Sequence, residues 1–95
     1  MLKRITLQVY TDPGHGWIKI SLKHLNKLNL IDKITPFSFI NNKHAYLEED
    51  CDASLLIDTL KQNDIHFEFR YNHAHGKSSI RYYDQYNINQ AIKGL

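Results

Sequence analysis

Residues 4–20 read Arg-Ile-Thr-Leu-Gln-Val-Tyr-Thr-Asp-Pro-Gly-His-Gly-Trp-Ile-Lys-Ile. Aliphatic and polar side chains alternate over residues 4–10, and a period of two with β-branched residues predicts a strand. A turn with one proline and two glycines follows, and residues 17–20 are a second, shorter β candidate. Two strands joined by about six residues predict a hairpin at the start of the chain.

Two helices are predicted by apolar residues at helical spacing. Leucines recur every third residue over 22–28 behind Ser21, which can act as an N-cap, so we expect a short amphipathic helix that ends near Asn29. The clearest helix follows an acidic run, where apolar residues stand at i, i+3, i+4 and i+7 over 53–60. We expect Asp50 or Asp52 to cap it, with the acidic residues complementing the helix dipole.

Further strands are expected on both sides of the second helix. Residues 37–40 and 44–48 flank Asn41-Asn42-Lys43, and asparagines tolerate the left-handed backbone of a hairpin turn. Residues 65–71 alternate clearly, and residues 79–83 are a candidate last strand. The order β-β-α-β-β-α-β-β predicts an α+β fold, with a mostly antiparallel sheet of five to six strands and both helices packed on one face. The opposite face would then carry polar and aromatic side chains that are free to bind.

Composition sets the class of protein. The chain has 95 residues, which is the length of one domain, and we expect residues 1–95 to form a single domain whose residues 87–95 are either disordered or a short terminal helix. The formal charge of +2 is well short of the basic surplus of a protein that coats DNA. One cysteine, no long apolar run and no signal-peptide pattern predict a cytoplasmic protein that avoids the membrane. The oligomeric state is open.

The turn from Asp12 to Trp17 is the first candidate binding element. Gly14 and Gly16 can take positive φ and leave the backbone open to a ligand, and successive amides in such a turn can form an anion-binding nest. Asp12 and His15 could add acid–base chemistry or metal ligation. A rigid hairpin in which Asp12 caps the turn and Trp17 plugs the edge of the core explains the same residues. The spacing fits neither a phosphate-binding loop nor a dinucleotide fingerprint.

The acidic run is the second candidate. Glu48, Glu49, Asp50 and Asp52 can satisfy a helix start, present an acidic contact surface that imitates phosphates, or hold a divalent cation. Cys51 lies within the run, and the surrounding carboxylates oppose formation of a reactive thiolate.

Arginine and tyrosine residues near the C-terminus are the third candidate. They suit a solvated sheet face, a protein interface, or stacked bases with phosphates. His73 and His75 could be part of a metal site, but a zinc site would need two further ligands, such as Asp12, His15 or Cys51, and exposed turn histidines are the favoured interpretation. The arginine and tyrosine residues are Arg70, Arg81, Tyr82, Tyr83 and Tyr86, with Lys77 beside them.

Three segments resemble a family of small uncharacterised proteins carried by bacteriophages and mobile elements. They are the turn at residues 12–17, the Tyr-Leu-Glu-Glu-Asp-Cys-Asp run at 46–52 and the Ser-Ile-Arg-x-Tyr segment at 79–83. The resemblance spans roughly residues 5–86 and departs from the family pattern at His73-Ala-His75. It implies a phage-type source, where small accessory proteins often antagonise host defence systems, but assigns no role to any residue.

We therefore expect a binding protein without catalytic residues, metal or cofactor, which contacts a host protein or complex. In the most specific form of this expectation, it inhibits a host defence system. Its contact surface would join the turn, the acidic run and the Arg/Tyr face. Two alternatives remain open. One is a nucleotide- or nucleic-acid-binding protein in which the glycine turn holds phosphate and Arg70 and Arg81 pair with it. The other is a metal-dependent hydrolase that uses Asp12, His15 and the acidic run.

Overall fold

The computed structural model describes residues 4–95, and its centre is a six-stranded open sheet. The spatial order of the strands is β5-β1-β2-β4-β3-β6, and every neighbouring pair is antiparallel except β1 with β5. An α+β protein with a mostly antiparallel sheet is therefore confirmed. The strands are β1 (Arg4–Thr11), β2 (Gly16–Ser21), β3 (Phe39–Asn41), β4 (His44–Glu48), β5 (His66–His73) and β6 (Asp84–Gln85).

Three helices pack their buried residues into one cluster with the strands. The helices are α1 (Leu22–Lys27), α2 (Ala53–Gln62) and α3 (Ile88–Lys93). Helical side chains such as Leu25, Leu56 and Ala91 join strand side chains such as Leu7 and Leu47 in this core. Side chains alternate between the two faces of a strand. Every second strand residue therefore points away from the helices, onto what we call the second face of the sheet.

Local chemistry explains where the helices begin and end. The Ser21 hydroxyl accepts from the amide of His24 at 3.1 Å and caps α1, as the sequence predicted. Asn29, just beyond α1, has φ of 60°, and Asn42 in the β3–β4 turn has φ of 56°. Both are left-handed positions, which asparagine tolerates better than most residues. Asn87 caps α3 by accepting from the amide of Gln90 at 2.9 Å.

The expected strand at 79–83 is wrong. Ser79–Tyr82 is a 3-10 helix, capped by the Ser78 hydroxyl, and β6 starts only at Asp84. The helical turn buries Ile80 against the second face of the sheet. The β-strand propensity of these five residues is weak, and the burial of Ile80 outweighs it. The strand expected from Phe37 likewise begins later, at Phe39.

The second face of the sheet is partly covered as a result. Trp17, Tyr46 and Ile80 form a second buried cluster, with Tyr10, Phe39 and Tyr83 packed against it. The face was expected to be free for binding, but the segment 78–83 crosses it. Two parts of the sheet stay open. One is a pocket beside this segment, and the other is the outer edge of strand β5.

The longest helix in the described part of the chain has ten residues. None of the helices over residues 4–95 is long and apolar enough to cross a bilayer.

Candidate binding site

The turn between β1 and β2 is organised around the Asp12 carboxylate. The amides of Gly14 and His15 both donate to its Oδ1 at 3.0 Å, and the Asp12 amide donates to the His15 carbonyl at 2.9 Å. The side chain of Asp12 has no exposed surface. These amides could have held an external anion, but they bind a carboxylate of the same turn. This geometry matches the rigid-hairpin interpretation and gives no support to a phosphate site at the turn.

Arg81 completes the environment of this carboxylate. Its Nε and Nη2 donate to the two Asp12 oxygens at 2.6 and 2.7 Å, and the Ser78 amide donates at 2.9 Å. The Arg81 guanidinium holds the pKa of Asp12 well below its usual range, and three main-chain amides act in the same direction against the opposing effect of burial. The guanidinium also lies over the Trp17 ring, 5.8 Å from its centroid. The ion pair therefore ties the 3-10 helix to the turn.

The glycines of the turn permit close approach. All four glycines of the chain lie in the described residues and none has positive φ, so the expected use of left-handed backbone is wrong. A Cβ on Gly14 would lie 2.9 Å from Arg81 Nη2, and one on Gly16 would lie 2.6 Å from Glu49 Oε2. Side chains from two other segments thus pass directly over the turn.

An open pocket of about 410 Å³ lies beside this ion pair on the second face of the sheet. Its polar groups come from all three candidate elements: His15 from the turn, Glu48 from the acidic run and Arg81 from the 3-10 helix. His15 Nδ1 lies 4.0 Å from Glu48 Oε1. The pocket is lined by His15, Trp17, Phe37, Phe39, Glu48 and Arg81.

Glu48 is the partly buried carboxylate of the pocket, with 15% of its side chain exposed. Burial raises the pKa of Glu48, and the nearby carboxylates of Asp50 and Glu49 add to the rise. The Asp50 amide, which donates to Glu48 Oε2 at 2.9 Å, and the His15 ring oppose it. A basic group from a ligand would oppose this rise and stabilise the charged form of Glu48.

The acidic run divides into exposed and buried parts. Glu49 and Asp50 are exposed, whereas Asp52 is 2% exposed. Asp52 occupies the N-cap position of α2, but its carboxylate makes no capping hydrogen bond, which corrects the expected role. It accepts instead from the Ser38 hydroxyl at 2.5 Å and from the Thr35 hydroxyl at 2.8 Å. Asp52 therefore holds the 35–38 loop, whereas Glu49 and Asp50 are exposed and Glu48 lines the pocket.

Trp17 is a core residue. Only 2% of it is exposed, and it packs edge-to-face against Phe39 with ring centroids 6.3 Å apart. Its indole Nε1 is buried and finds no hydrogen-bond partner among residues 4–95. The ring forms the floor of the pocket.

The expected Arg/Tyr face does not form one surface. Tyr83 packs on Tyr46 with centroids 5.1 Å apart, and burial, together with the neighbouring Tyr83 and Tyr10, raises the pKa of Tyr46 to about 12. Tyr86 is buried on the helix side of the sheet, where its hydroxyl donates to the Ile31 carbonyl at 2.6 Å. Arg70 lies on β5 and does not line the pocket.

His73 and His75 lie together, with ring centroids 5.7 Å apart, and His73 Nδ1 is 2.8 Å from the Thr11 hydroxyl. Within residues 4–95, however, no three His, Cys, Asp or Glu side chains are grouped so that they could hold a metal ion. Cys51 lies elsewhere, with Sγ 3.5 Å from the Thr35 hydroxyl. No cluster in the described chain therefore supports the hydrolase alternative.

Two lining residues, Phe37 and Phe39, are not among the residues that the sequence singled out. Phe37 is 71% exposed at the rim of the pocket, although the sequence predicts it as the first residue of a strand. The available signal was the preceding Pro36 in a segment rich in hydroxyl residues, which is typical of a structured turn. A second pocket of about 420 Å³, between α1, α2 and the start of β1, contains none of the predicted site residues.

The fold and the pocket together define a small α+β protein with a partly covered open sheet. Comparison with protein-family models, with curated proteins and with solved structures found no match to this chain. The functional argument therefore rests on the geometry of the pocket and on the residues around it.

Proposed function

We propose that this chain is a non-catalytic binding protein of the phage or mobile-element type, which acts in the host cytoplasm by occupying a surface of a host protein. An inhibitor of a host defence complex is the specific form of this proposal. The observation that carries it is the convergence of the turn, the acidic run and Arg81 on one pocket. The three elements are distant in sequence, and the residues of each make it a candidate contact element on its own.

The chemistry of the pocket rim suits a protein partner. Phe37 offers a large exposed aromatic ring, and buried aromatic anchors dominate the energy of many interfaces. Glu49 and Asp50 add exposed carboxylates next to Glu48, so the rim is acidic although the whole chain is slightly basic. A partner with a basic, apolar-centred surface would be attracted and oriented by these charges. Surfaces that bind nucleic acid carry such positive charge.

The pocket is also held in place before any partner arrives. Arg81 is fixed by two hydrogen bonds to Asp12 and by the Trp17 ring beneath it. A preorganised surface loses little conformational entropy on binding, which raises its affinity. Arg81 Nε and Nη2 and the amides of Gly14 and His15 already donate to Asp12, so the geometry favours recognition through the rim over capture of a free phosphate by the turn.

The test is capture from a host lysate by the immobilised protein, read by quantitative mass spectrometry. The contact variants are Phe37→Ala and the pair Glu49→Lys/Asp50→Lys, and the matched control is Asp58→Lys on the exposed side of α2. We expect one defined partner to be retained by the wild type and the control, and its retention to fall at least tenfold for both contact variants. Circular dichroism and melting curves check that all variants fold.

If the contact variants retain the same partner as well as the wild type does, the pocket rim is not the interface. If the wild type retains nothing reproducible, the proposed host contact is wrong. A nucleotide panel that changes Trp17 fluorescence and raises the melting temperature would instead favour the nucleotide-binding alternative.

A further inference from the structure

Strand β5 is an open edge of the sheet. It is the terminal strand in the order, and its only sheet neighbour among the described residues is β1. Phe69 and Tyr71 are 40% and 69% exposed on the helix-facing side. Natural edge strands are usually protected by proline, charged side chains (lysine above all), a bulge or short length. This strand has eight residues, contains neither proline nor lysine, and keeps continuous register with β1; its charged side chains, Glu68 and Arg70, have opposite signs.

The outward-facing backbone groups of β5 follow from its pairing with β1. The Ala74 amide donates to the Thr11 carbonyl at 2.8 Å, directly after the strand. In a parallel pair the amide and carbonyl of one residue point to the same side, and successive residues alternate. Phe67, Phe69 and Tyr71 therefore direct their main-chain groups away from β1, where they can pair with another strand.

The sequence of β5 is complementary to itself. We propose that two copies of this chain associate through β5 strands that pair antiparallel about a two-fold axis at Phe69. In this register Glu68 lies opposite Arg70 of the second copy, and Arg70 lies opposite its Glu68. On the other face Phe67 lies opposite Tyr71, and the two Phe69 rings meet at the axis. Opposite charges and aromatic pairs at directly facing positions stabilise sheets.

A second copy is the occupant that this edge fits best. Among residues 4–95 neither Glu68 nor Arg70 makes an ion pair, and both are exposed. The register satisfies both charges in each copy, as an isologous interface requires, because one surface patch must complement itself. Pairing residues 67–71 would add about six main-chain hydrogen bonds and join the two sheets. This interface leaves the pocket rim free, so it is independent of the proposed function.

Charge reversal tests the register with the full chain. Wild type, Glu68→Arg, Arg70→Glu and the double variant Glu68→Arg/Arg70→Glu are compared by sedimentation equilibrium over a concentration series. Each single variant places like charges opposite each other twice, so we expect its dimer dissociation constant to rise at least tenfold. The double variant restores both opposite-charge pairs and should dimerise like the wild type. An equimolar mixture of the two single variants should form mixed dimers for the same reason. Circular dichroism confirms folding, which the exposed positions of both residues should preserve.

Three outcomes would overturn the proposal. The first is a wild type that stays monomeric at several hundred micromolar. The second is a dimer that the single variants leave intact, which would place the interface elsewhere. The third is a single-variant defect that neither the double variant nor the mixture repairs, because the charge pairs of the proposed register would then not exist.

Discussion

Replacement of Asp52 by alanine should strongly destabilise the fold, although the residue belongs to an acidic run that looks like surface. The carboxylate is 2% exposed and accepts hydrogen bonds from the hydroxyls of Ser38 and Thr35 and from the Thr35 amide. Ser38 itself is fully buried, and its oxygen also accepts from the Glu48 amide at 3.0 Å. One side chain thus joins the 35–38 loop to the start of α2 and, through Ser38, to β4.

The magnitude follows from the donors that Asp52→Ala would leave behind. A hydrogen bond to a charged acceptor contributes about 1.5–3 kcal/mol net, and a buried donor without a partner costs about 1–3 kcal/mol. Ser38 is the most buried of the donors, and the Thr35 groups are half-buried and can recover water in part. We therefore expect the free energy of unfolding to fall by about 3–5 kcal/mol, out of a total of about 5–14 kcal/mol for a chain of this length.

Equilibrium urea unfolding, followed by Trp17 fluorescence and circular dichroism, measures this loss. Asp50→Ala is the matched control. It removes the same charge from a position that is exposed and lies two residues before Asp52. It should change stability by less than about 0.5 kcal/mol. Ser38→Ala combined with Asp52→Ala should lose less than the sum of the two single effects, since the residues share a hydrogen bond. A loss below about 1 kcal/mol for Asp52→Ala, or equal losses at positions 50 and 52, would refute the structural role.

Three further predictions concern the turn and the core. Tyr86→Phe should lower the free energy of unfolding by about 0.5–1.5 kcal/mol in urea titrations, because the variant leaves a buried carbonyl without its donor; an unchanged midpoint would contradict this. The pKa of Asp12 is lowered from 3.8, so its contribution to stability is present above about pH 4 and is lost as the pH falls below that value. Asp12→Asn should therefore melt lower at pH 7 and show a shallower decline between pH 5 and pH 2 than the wild type, and parallel curves would exclude the effect. Gly14→Ala should lower the melting temperature by roughly 5 °C by pushing Arg81 aside, whereas Gly76→Ala, where a Cβ meets open space, should leave it unchanged; equal shifts would argue against the close approach.

Much of the fold could be predicted because its signals are local. The alternation at 4–10 and 65–71, the Ser21 cap and the leucine spacing each specify an element from neighbouring residues alone. The 3-10 helix at 79–82 could not be predicted in this way. Its conformation depends on Ile80 reaching the second cluster, which contains Trp17 and Tyr46, and on Arg81 reaching Asp12, 69 residues earlier in the chain. The parallel pairing of β1 with β5 is non-local in the same sense.

The sequence identifies most of the residues of the candidate site but does not predict how they are arranged in space. The sequence singled out His15, Trp17, Glu48 and Arg81, which line one pocket. It did not separate Asp52 from its exposed neighbours, because burial of a carboxylate depends on donors in a loop some fifteen residues earlier. It also grouped Arg70 with Arg81, although β5 carries Arg70 at the far edge of the sheet.

The unusual composition of the turn at 12–17 is explained by what the turn must accommodate. Its carboxylate is enclosed by five donors, its glycines leave space for Arg81 and Glu49, and its tryptophan lies under the guanidinium. The Asp12 carboxylate and the amides of Gly14 and His15 are thereby used internally, whereas the His15 side chain is exposed. A binding role then falls to the side chains at the rim of the pocket beside the turn, such as His15, Phe37 and Glu48. Variants of Asp12 should consequently weaken binding only to the extent that they loosen this rim, whereas variants of Phe37 should weaken it without loss of stability.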